Sequence, residues 1–407
     1  MKKSAVIVLI AFMLTCPGAI AFPKIIEKPI VPTFRNGNTL YVGGTGPGNY
    51  SNIQDAVDDA SNDDTIFVYS YSSPYCENVV VEKSINLIGE DKNSTIIDGM
   101  GTDDPLWIRT SSVDVHGFTM MNCPKTALNA GIHIIEKKVY DELAVLTDIT
   151  VSDCILKNNK CVGIWMESTQ RVDISNCDIK NNDGLSILIS DSSQVTVTNC
   201  EIHENGEELG PGTGYSGGIL TRAGDFGGCY DVEISYCDIT NNKLIGISTS
   251  AISHNIDIHH NVISHNSWRG IAILGGYFNL SSNIVIHDNI ISENGEGRDS
   301  HGGILIQDCR DIVTVKHNNI SSNNNTGIYL LRASQNTIIE NNIIDHERNG
   351  YFEEFCFLNQ WDENYWDDWI RSDEVNGPWK AIKGRLIRFI PWVNFDRHPA
   401  SEPYLIT

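Results

Sequence analysis

Basic residues are scarce in this chain. There are 29 Lys and Arg against 52 Asp and Glu, a formal net charge of −23 at pH 7. That balance sets aside nucleic acid and anionic membrane as partners, since both call for a surplus of positive charge. Beyond residue 21 no stretch approaches the ~18 consecutive apolar residues of a membrane span, so no transmembrane segment is expected. There is no CxxC pair, which removes the commonest thiolate metal sites. A leucine-dominated frame is also missing, which removes a leucine-rich repeat.

What the chain does have is a short pattern that returns down its middle. In Ile284-Val285-Ile286-His287-Asp288-Asn289-Ile290-Ile291, apolar residues hold the first, third and eighth places and a small polar residue the sixth. Asn294 follows three places later, then Gly303-Ile304. The same frame fits from Ile149 through Val315 and fades at Thr337/Ile339/Asn342/Ile344. Its sixth-place residues are Cys154, Cys177, Cys200, Cys237, Asn261, Asn289, Asn318 and Asn342, spaced 23 to 37 residues apart. A period in the twenties with alternating β-branched residues is the mark of a solenoid. Each repeat holds three short strands, too short to stand alone. Stacked in parallel on the next coil, they bury Ile and Val inward. The expected fold is therefore all-β: a right-handed parallel β-helix of about ten coils, with its repeats over 100–350.

The sixth-place residues should stack as an internal ladder at one corner, and Ile258, Ile286, Val315 and Ile339 as one inward column. Asn suits such a corner because it tolerates the left-handed conformation and bonds neighbouring backbone. Gly at 163, 184, 218, 246, 270, 303 and 327 would serve sharp turns into the third strand. Adjacent coils would bring ladder cysteines within disulfide range, and a reduced packing role is preferred for them.

Met1–Ala21 reads as an export signal: Lys2-Lys3, an apolar stretch over 5–14, and Ala19-Ile20-Ala21 before Phe22. The mature protein is then expected outside the cell or on its surface, with a linker over 22–38. Over 39–99 a strand and the amphipathic helix Ile53–Ala60 should cover the open first coil, since a bare strand edge invites pairing with other chains. Over 351–407, Trp361, Trp366, Trp369, Trp379 and Trp392 cluster. They read first as a cap burying the last coil, and second as a sugar-stacking surface.

Repeats, first coils and tryptophan-rich tail together resemble the secreted NosD-like right-handed β-helix proteins of archaeal type, within the pectate-lyase-like superfold. The segment "IQDAVDDAS…DTIFV…ENVVVEKSINLIGE…TIIDG" resembles the start of extracellular β-helix proteins, pectin-modifying enzymes included. The resemblance implies fold and leaves function open, because that group holds sugar binders, hydrolases, lyases and a protein implicated in copper delivery. No enzyme signature of the group is complete here. Ser300-His301-Gly302-Gly303 is not GHG, and Gly377-Pro378-Trp379 lacks the Arg of the methylesterase motif. A copper role would want His and Met at ligand spacing, but the Met residues lie far from His254, His259, His260 and His265. Strand alternation would point His259 and His260 to opposite faces.

If the chain holds a ligand, the outward side of the third strands is the place. Trp107, Arg109, His133, Trp165, Glu167, Ser186, Leu220, Arg222 and Tyr329 fall there. Long insertions at 206–216, 223–230 and 295–301 would wall a groove over Trp165, Glu167 and Arg222, adding Glu207, Glu208, Asp225 and His301. Binding residues are then Trp107, Arg109, His133, Trp165, Glu167, Arg222 and Tyr329. Catalytic candidates are Arg222, Glu167, His301 and Asp225. No metal site or cofactor is assigned, Ca2+ being the one ion the acidity would suit. The preferred function is binding of polysaccharide or cell-envelope glycan without catalysis. The alternative is a lyase, epimerase or hydrolase, and a third reading is a structural or adhesive surface protein.

Overall fold

Parallel pairing between successive coils organises the whole computed structural model. It describes residues 37–125, 129–136, 144–206, 217–224, 227–250, 252–276, 281–296, 302–369, 379–387 and 390–406. The fold is a right-handed parallel β-helix. Each coil contributes three strands, one to each of three faces. In one central coil these are Ser253–His259, Val262–Ser264 and Arg269–Leu274. The second face alone holds twelve strands, so the solenoid is longer than the about ten coils read from the repeat.

Register follows burial. Val232, Ile256, Ile284 and Val313 pair in one column, and Ile234, Ile258, Ile286, Val315 and Ile338 in the next. All are buried. The next member of that column is Ile338, not half-buried Ile339, and Trp361 follows it. The ladder slips equally: the residue bonded to Asn318 is Asn341, not Asn342. The sequence frame is thus one residue late in its last unit, and a one-residue slip exchanges the two faces of a strand.

At the bend after the first strand the chain turns on a single residue with positive φ. Asn176, Asn199, Tyr236, His260, Asp288 and His317 hold this place. The next residue points inward. Asn289 shows why it is asparagine. Its Oδ1 accepts from the backbone N–H and the Nδ2 of Asn261, both at 3.0 Å. Its own Nδ2 donates to Ile258 O, His287 O and Asn318 Oδ1. The amide thus satisfies backbone groups that the bend would otherwise bury unpaired. The column runs Asn261, Asn289, Asn318, Asn341, Asn364. Above it Cys154, Cys177, Cys200 and Cys237 fill the same slot as free, buried thiols. Their sulfurs lie against backbone carbonyls, as with Cys177 Sγ and Ser175 O at 3.3 Å. Among the described residues the disulfide joins Cys123 to Cys161 instead.

A second ladder stands at the bend after the second strand: Asn159, Asn182, Asn205, Asn242, Asn266, Asn294 and Asn323, each Nδ2 donating to the next Oδ1. The glycines that open the third strands answer to space. A Cβ on Gly218 would sit 1.8 Å from Gly246 O, and one on Gly303 1.9 Å from Gly327 O. Neither has a positive φ, so the demand is close approach of the next coil and not the sharp turn expected.

Both ends are covered. Helix Ile53–Asp59 lays Ile53, Ala56 and Val57 on the first coils, and Glu77 accepts from the N–H groups of Ile53 and Gln54. At the other end Lys380–Ile387 and Ile390–Asp396 form an antiparallel hairpin. One strand pairs with the third face at Phe352↔Gly384, the other with the first face at Trp361↔Asp396. Asp396 terminates the first ladder. Its Oδ2 accepts from the N–H and Nδ2 of Asn364, both at 3.1 Å, and from Trp366 Nε1 at 2.9 Å. A ladder that ends in two donors needs a pure acceptor, and a carboxylate is one. Burial holds its pKa above the usual carboxylate value.

Two substitutions test the ladder. Asn289→Ala strands several buried partners and should cost about 3 kcal/mol in urea unfolding. Asp396→Ala should cost a comparable amount, while Asp396→Asn, which keeps an acceptor oxygen, should cost far less. Equal losses for Asp396→Ala and Asp396→Asn would contradict this role.

Candidate functional site

The outward row of the third face pairs Trp107, His133, Trp165, Leu188, Leu220, Ser248, Ala272, Leu305, Tyr329 and Tyr351 in order. Leu188 stands where Ser186 was expected. Ser186 is buried and donates its hydroxyl to Gly217 O. The row is not the solvated stripe its sequence suggests. Trp165, Leu188 and Leu220 pack in one apolar cluster, and Ala272, Leu305, Tyr329 and Tyr351 in another. Burial takes most of the row out of reach of a ligand.

Polar groups gather at its N-terminal end. His133 is sandwiched between Trp107 and Trp165, with ring centroids 5.2 and 4.8 Å away. Its Nδ1 lies 2.9 Å from Asp104 Oδ2. Asp104 also accepts from the N–H of Ala130 and the Nδ2 of Asn129. His133 Nε2 and Trp165 Nε1 are buried without a hydrogen-bond partner. Arg109 lies 3.6 Å over the Trp107 ring and 3.4 Å from Glu82. Trp107, Arg109, His133 and Trp165 are therefore brought together, but with most ring faces occupied.

Glu167 and Arg222 share the next row, with Ser190 between them. Arg222 Nε donates to Ser190 Oγ at 2.8 Å. Two strand spacings, roughly 9.6 Å, separate their backbones. Glu207, Glu208, Asp225 and His301 lie outside the described residues, as does most of the expected groove wall. Tyr329 falls at the other end of the molecule, where its hydroxyl and that of Tyr351 both donate to Glu353.

The first face carries a histidine network that alternation did not foretell. His260 is the left-handed residue of its bend, so alternation breaks there. His259 and His260 meet, Nδ1 to Nδ1 at 2.9 Å, instead of facing apart. His259 Nε2 is 3.3 Å from Glu233, and its ring stacks on His287 at 5.0 Å. His287 stands between Asp257 at 3.0 Å and Asp288 at 2.6 Å, and His317 reaches Asp288 at 3.0 Å. Hydrogen bonds that the ring donates to Asp257 and to Asp288 raise the His287 pKa against the opposing effect of burial. His260 is lowered by burial, then by the charge of His259. Among the described residues no group of three or more His, Cys, Asp or Glu is placed to hold a metal ion. No described helix is long and apolar enough to cross a membrane.

The tryptophan-rich tail divides into two roles. Trp361, Trp366 and Trp369 are buried, whereas Trp379 and Trp392 stay 49% and 45% exposed. Trp392 therefore does not join the cap. With Phe357 and Phe395 it lines a cleft of about 510 Å³, whose polar lining includes Asn359, Gln360, Asp362, Asn394 and His398. The only sequence signal for this site was the clustering of tryptophans; Trp361, Trp366 and Trp369 precede the hairpin and are buried, whereas Trp392 lies on its exposed outer strand.

The family described as "Right handed beta helix region" matches residues 106–298, 274–344 and 296–359. No curated protein matches the chain in sequence. Among solved structures, the A-module of the Azotobacter vinelandii mannuronan C-5 epimerase AlgE4 is similar at a TM-score of 0.51 and 14% identity, over 78% of this chain and 94% of that one. The Dettilon tailspike protein gp208 gives 0.55 at 13% identity, over 80% of this chain and 66% of the tailspike. The DFA-IIIase of Arthrobacter chlorophenolicus A6, solved with GF2, gives 0.53 at 12% identity, over 81% and 93%. At such identities the likeness is one of fold.

His287 gives a pH test. Its pKa is raised on folding, so its contribution is full below its unfolded value near 6.5 and is lost as pH rises through the folded value. Asp257 and Asp288 are lowered, so theirs is present above about 3.8 and is lost as pH falls. The loss of stability in His287→Gln should be greatest between about pH 4 and 6.5 and should shrink above that window. A loss that is flat from pH 4 to 9 in chemical denaturation would contradict the network.

Proposed function

This chain belongs to the right handed beta helix region family, and on that premise we propose that it is a secreted or cell-surface protein that binds polysaccharide or cell-envelope glycan without turning it over. The observation that carries this reading is the C-terminal cleft. Half-exposed Trp392 offers a flat apolar face on which a pyranose ring packs. Gln360 and the paired Asp362 and His398 supply donors and acceptors that sugar hydroxyls require, whereas the Asn359 amide is spent on Asn336 and on Ala333 O. Asn394 Nδ2 is buried with no hydrogen-bond partner. The saccharide-acting neighbours of the same fold support the class of ligand without naming it.

A second reading, a polysaccharide lyase, epimerase or hydrolase, is favoured by one observation. Asp104 holds His133 by Nδ1 and leaves Nε2 without a partner, as an oriented general base would be held, but Nε2 is buried and a substrate would have to displace what covers it. This moves the catalytic candidate from Arg222 and Glu167 towards the N-terminal end of the row.

The test is a glycan array on the mature protein, followed by titration with the best ligand. Trp392→Ala should weaken binding at least tenfold with little change in melting temperature, because its ring is not part of the buried cap. Unchanged binding in Trp392→Ala would overturn the cleft as the site. Release of unsaturated uronate or reducing ends by the purified protein, abolished in His133→Ala, would replace binding with catalysis.

A further inference from the structure

The hairpin that closes the solenoid has a second hollow on its other flank, and we infer that this hollow selects acidic saccharides, taking a sugar residue that carries a carboxylate or sulfate. The inference rests on the glycan-binding reading and deepens it by naming the ligand's charge.

The hollow measures about 870 Å³ and lies against the last strand of the third face. That volume accommodates a few sugar residues, within the usual range of ligand sites. Arg348, Lys380, Lys383 and Arg385 line it, against Glu347 and Asp368. In a chain with 52 acidic and 29 basic residues, four cations around one hollow reverse the prevailing charge.

The cations differ in how firmly they are held. Lys380 is the most shielded and is engaged by Asp368 at 2.5 Å. The other three are exposed. Arg385 stands 3.7 Å from Glu353, a carboxylate that already accepts from Tyr329 and Tyr351. Arg348 lies 3.9 Å from Glu347 and 4.6 Å over the Tyr351 ring. Such loose pairs contribute little to stability, and an entering anion exchanges for them at small cost. Guanidinium groups grip carboxylate or sulfate through two parallel hydrogen bonds, which gives Arg348 and Arg385 geometry as well as charge. Position adds to the case. Gly384 and Arg385 pair directly with Phe352 and Glu353, so the cations sit on a regular strand pair.

The experiment titrates the mature protein with a uronic-acid hexasaccharide and with the neutral hexasaccharide of the same linkage, at low and at physiological salt. The wild type should bind the acidic chain at least tenfold more tightly, with the advantage shrinking as salt rises. The triple variant Arg348→Gln, Lys383→Gln, Arg385→Gln should lose that advantage and keep its neutral-chain affinity and melting temperature. Trp392→Ala should weaken both chains together. Equal affinity of the wild type for the two chains, or an acidic preference that survives in the triple variant, overturns the inference while the glycan-binding reading stands. Absence of binding to either chain overturns both.

Discussion

A coil that turns on one residue buries backbone N–H and C=O groups that no strand can pair, and the rest of this structure depends on satisfying them. The buried asparagine does so from the neighbouring coil. Asn289 serves the bend of Asn261, and Asn318 serves that of Asn289, so each coil completes the hydrogen bonding of the one before it. Hydrophobic burial of Ile and Val supplies the larger driving force and sets which face of each strand turns inward, but it does not choose between registers two residues apart, which bury the same face. The amide ladders do choose, since a slipped coil would leave a whole column unpaired.

The same dependence explains the ends. A solenoid of this kind has no natural terminus: its last coil offers an open strand edge, an apolar interior and unfinished ladders. The chain answers each separately. Hairpin strands pair with both long faces. Trp361, Trp366 and Trp369 fill the interior. Asp396 accepts the donors of Asn364. Two of the five tail tryptophans are left over, and these and the basic hollow on the hairpin's other flank are where the cap exceeds structural need. Aromatic rings and cations left exposed at the edge of a rigid cap are well placed to meet a polymer in solvent.

Legibility in the sequence followed the strength of the period. The frame from Ile149 to Val315 gave the fold, the inward columns and the first ladder. It slipped by one at Ile338 and Asn341, where the repeat weakens and Asn341-Asn342 offers two candidates side by side. Asn159 to Asn323 stood in the frame, but their reach to the next coil is set by a bend whose geometry no spacing reveals. His259 and His260 were misplaced for a related reason: alternation ends at a left-handed residue, and His is not the usual marker of one. The outward row was legible as a row and not as a surface, because burial of Trp165 and Leu305 depends on what packs over them. Trp392 could not be told from Trp366 without the hairpin's register.

Because each coil completes its neighbour, the coils should be stable only as a closed stack. Truncation after Asp362 removes Asn364, Trp366, Asp396 and the hairpin together and leaves the earlier coils intact. Sedimentation of the truncated chain beside the full-length protein tests this most directly. The account predicts aggregation through the open edge and loss of the cooperative melting transition. A soluble monomer that melts at the temperature of the intact protein would contradict it.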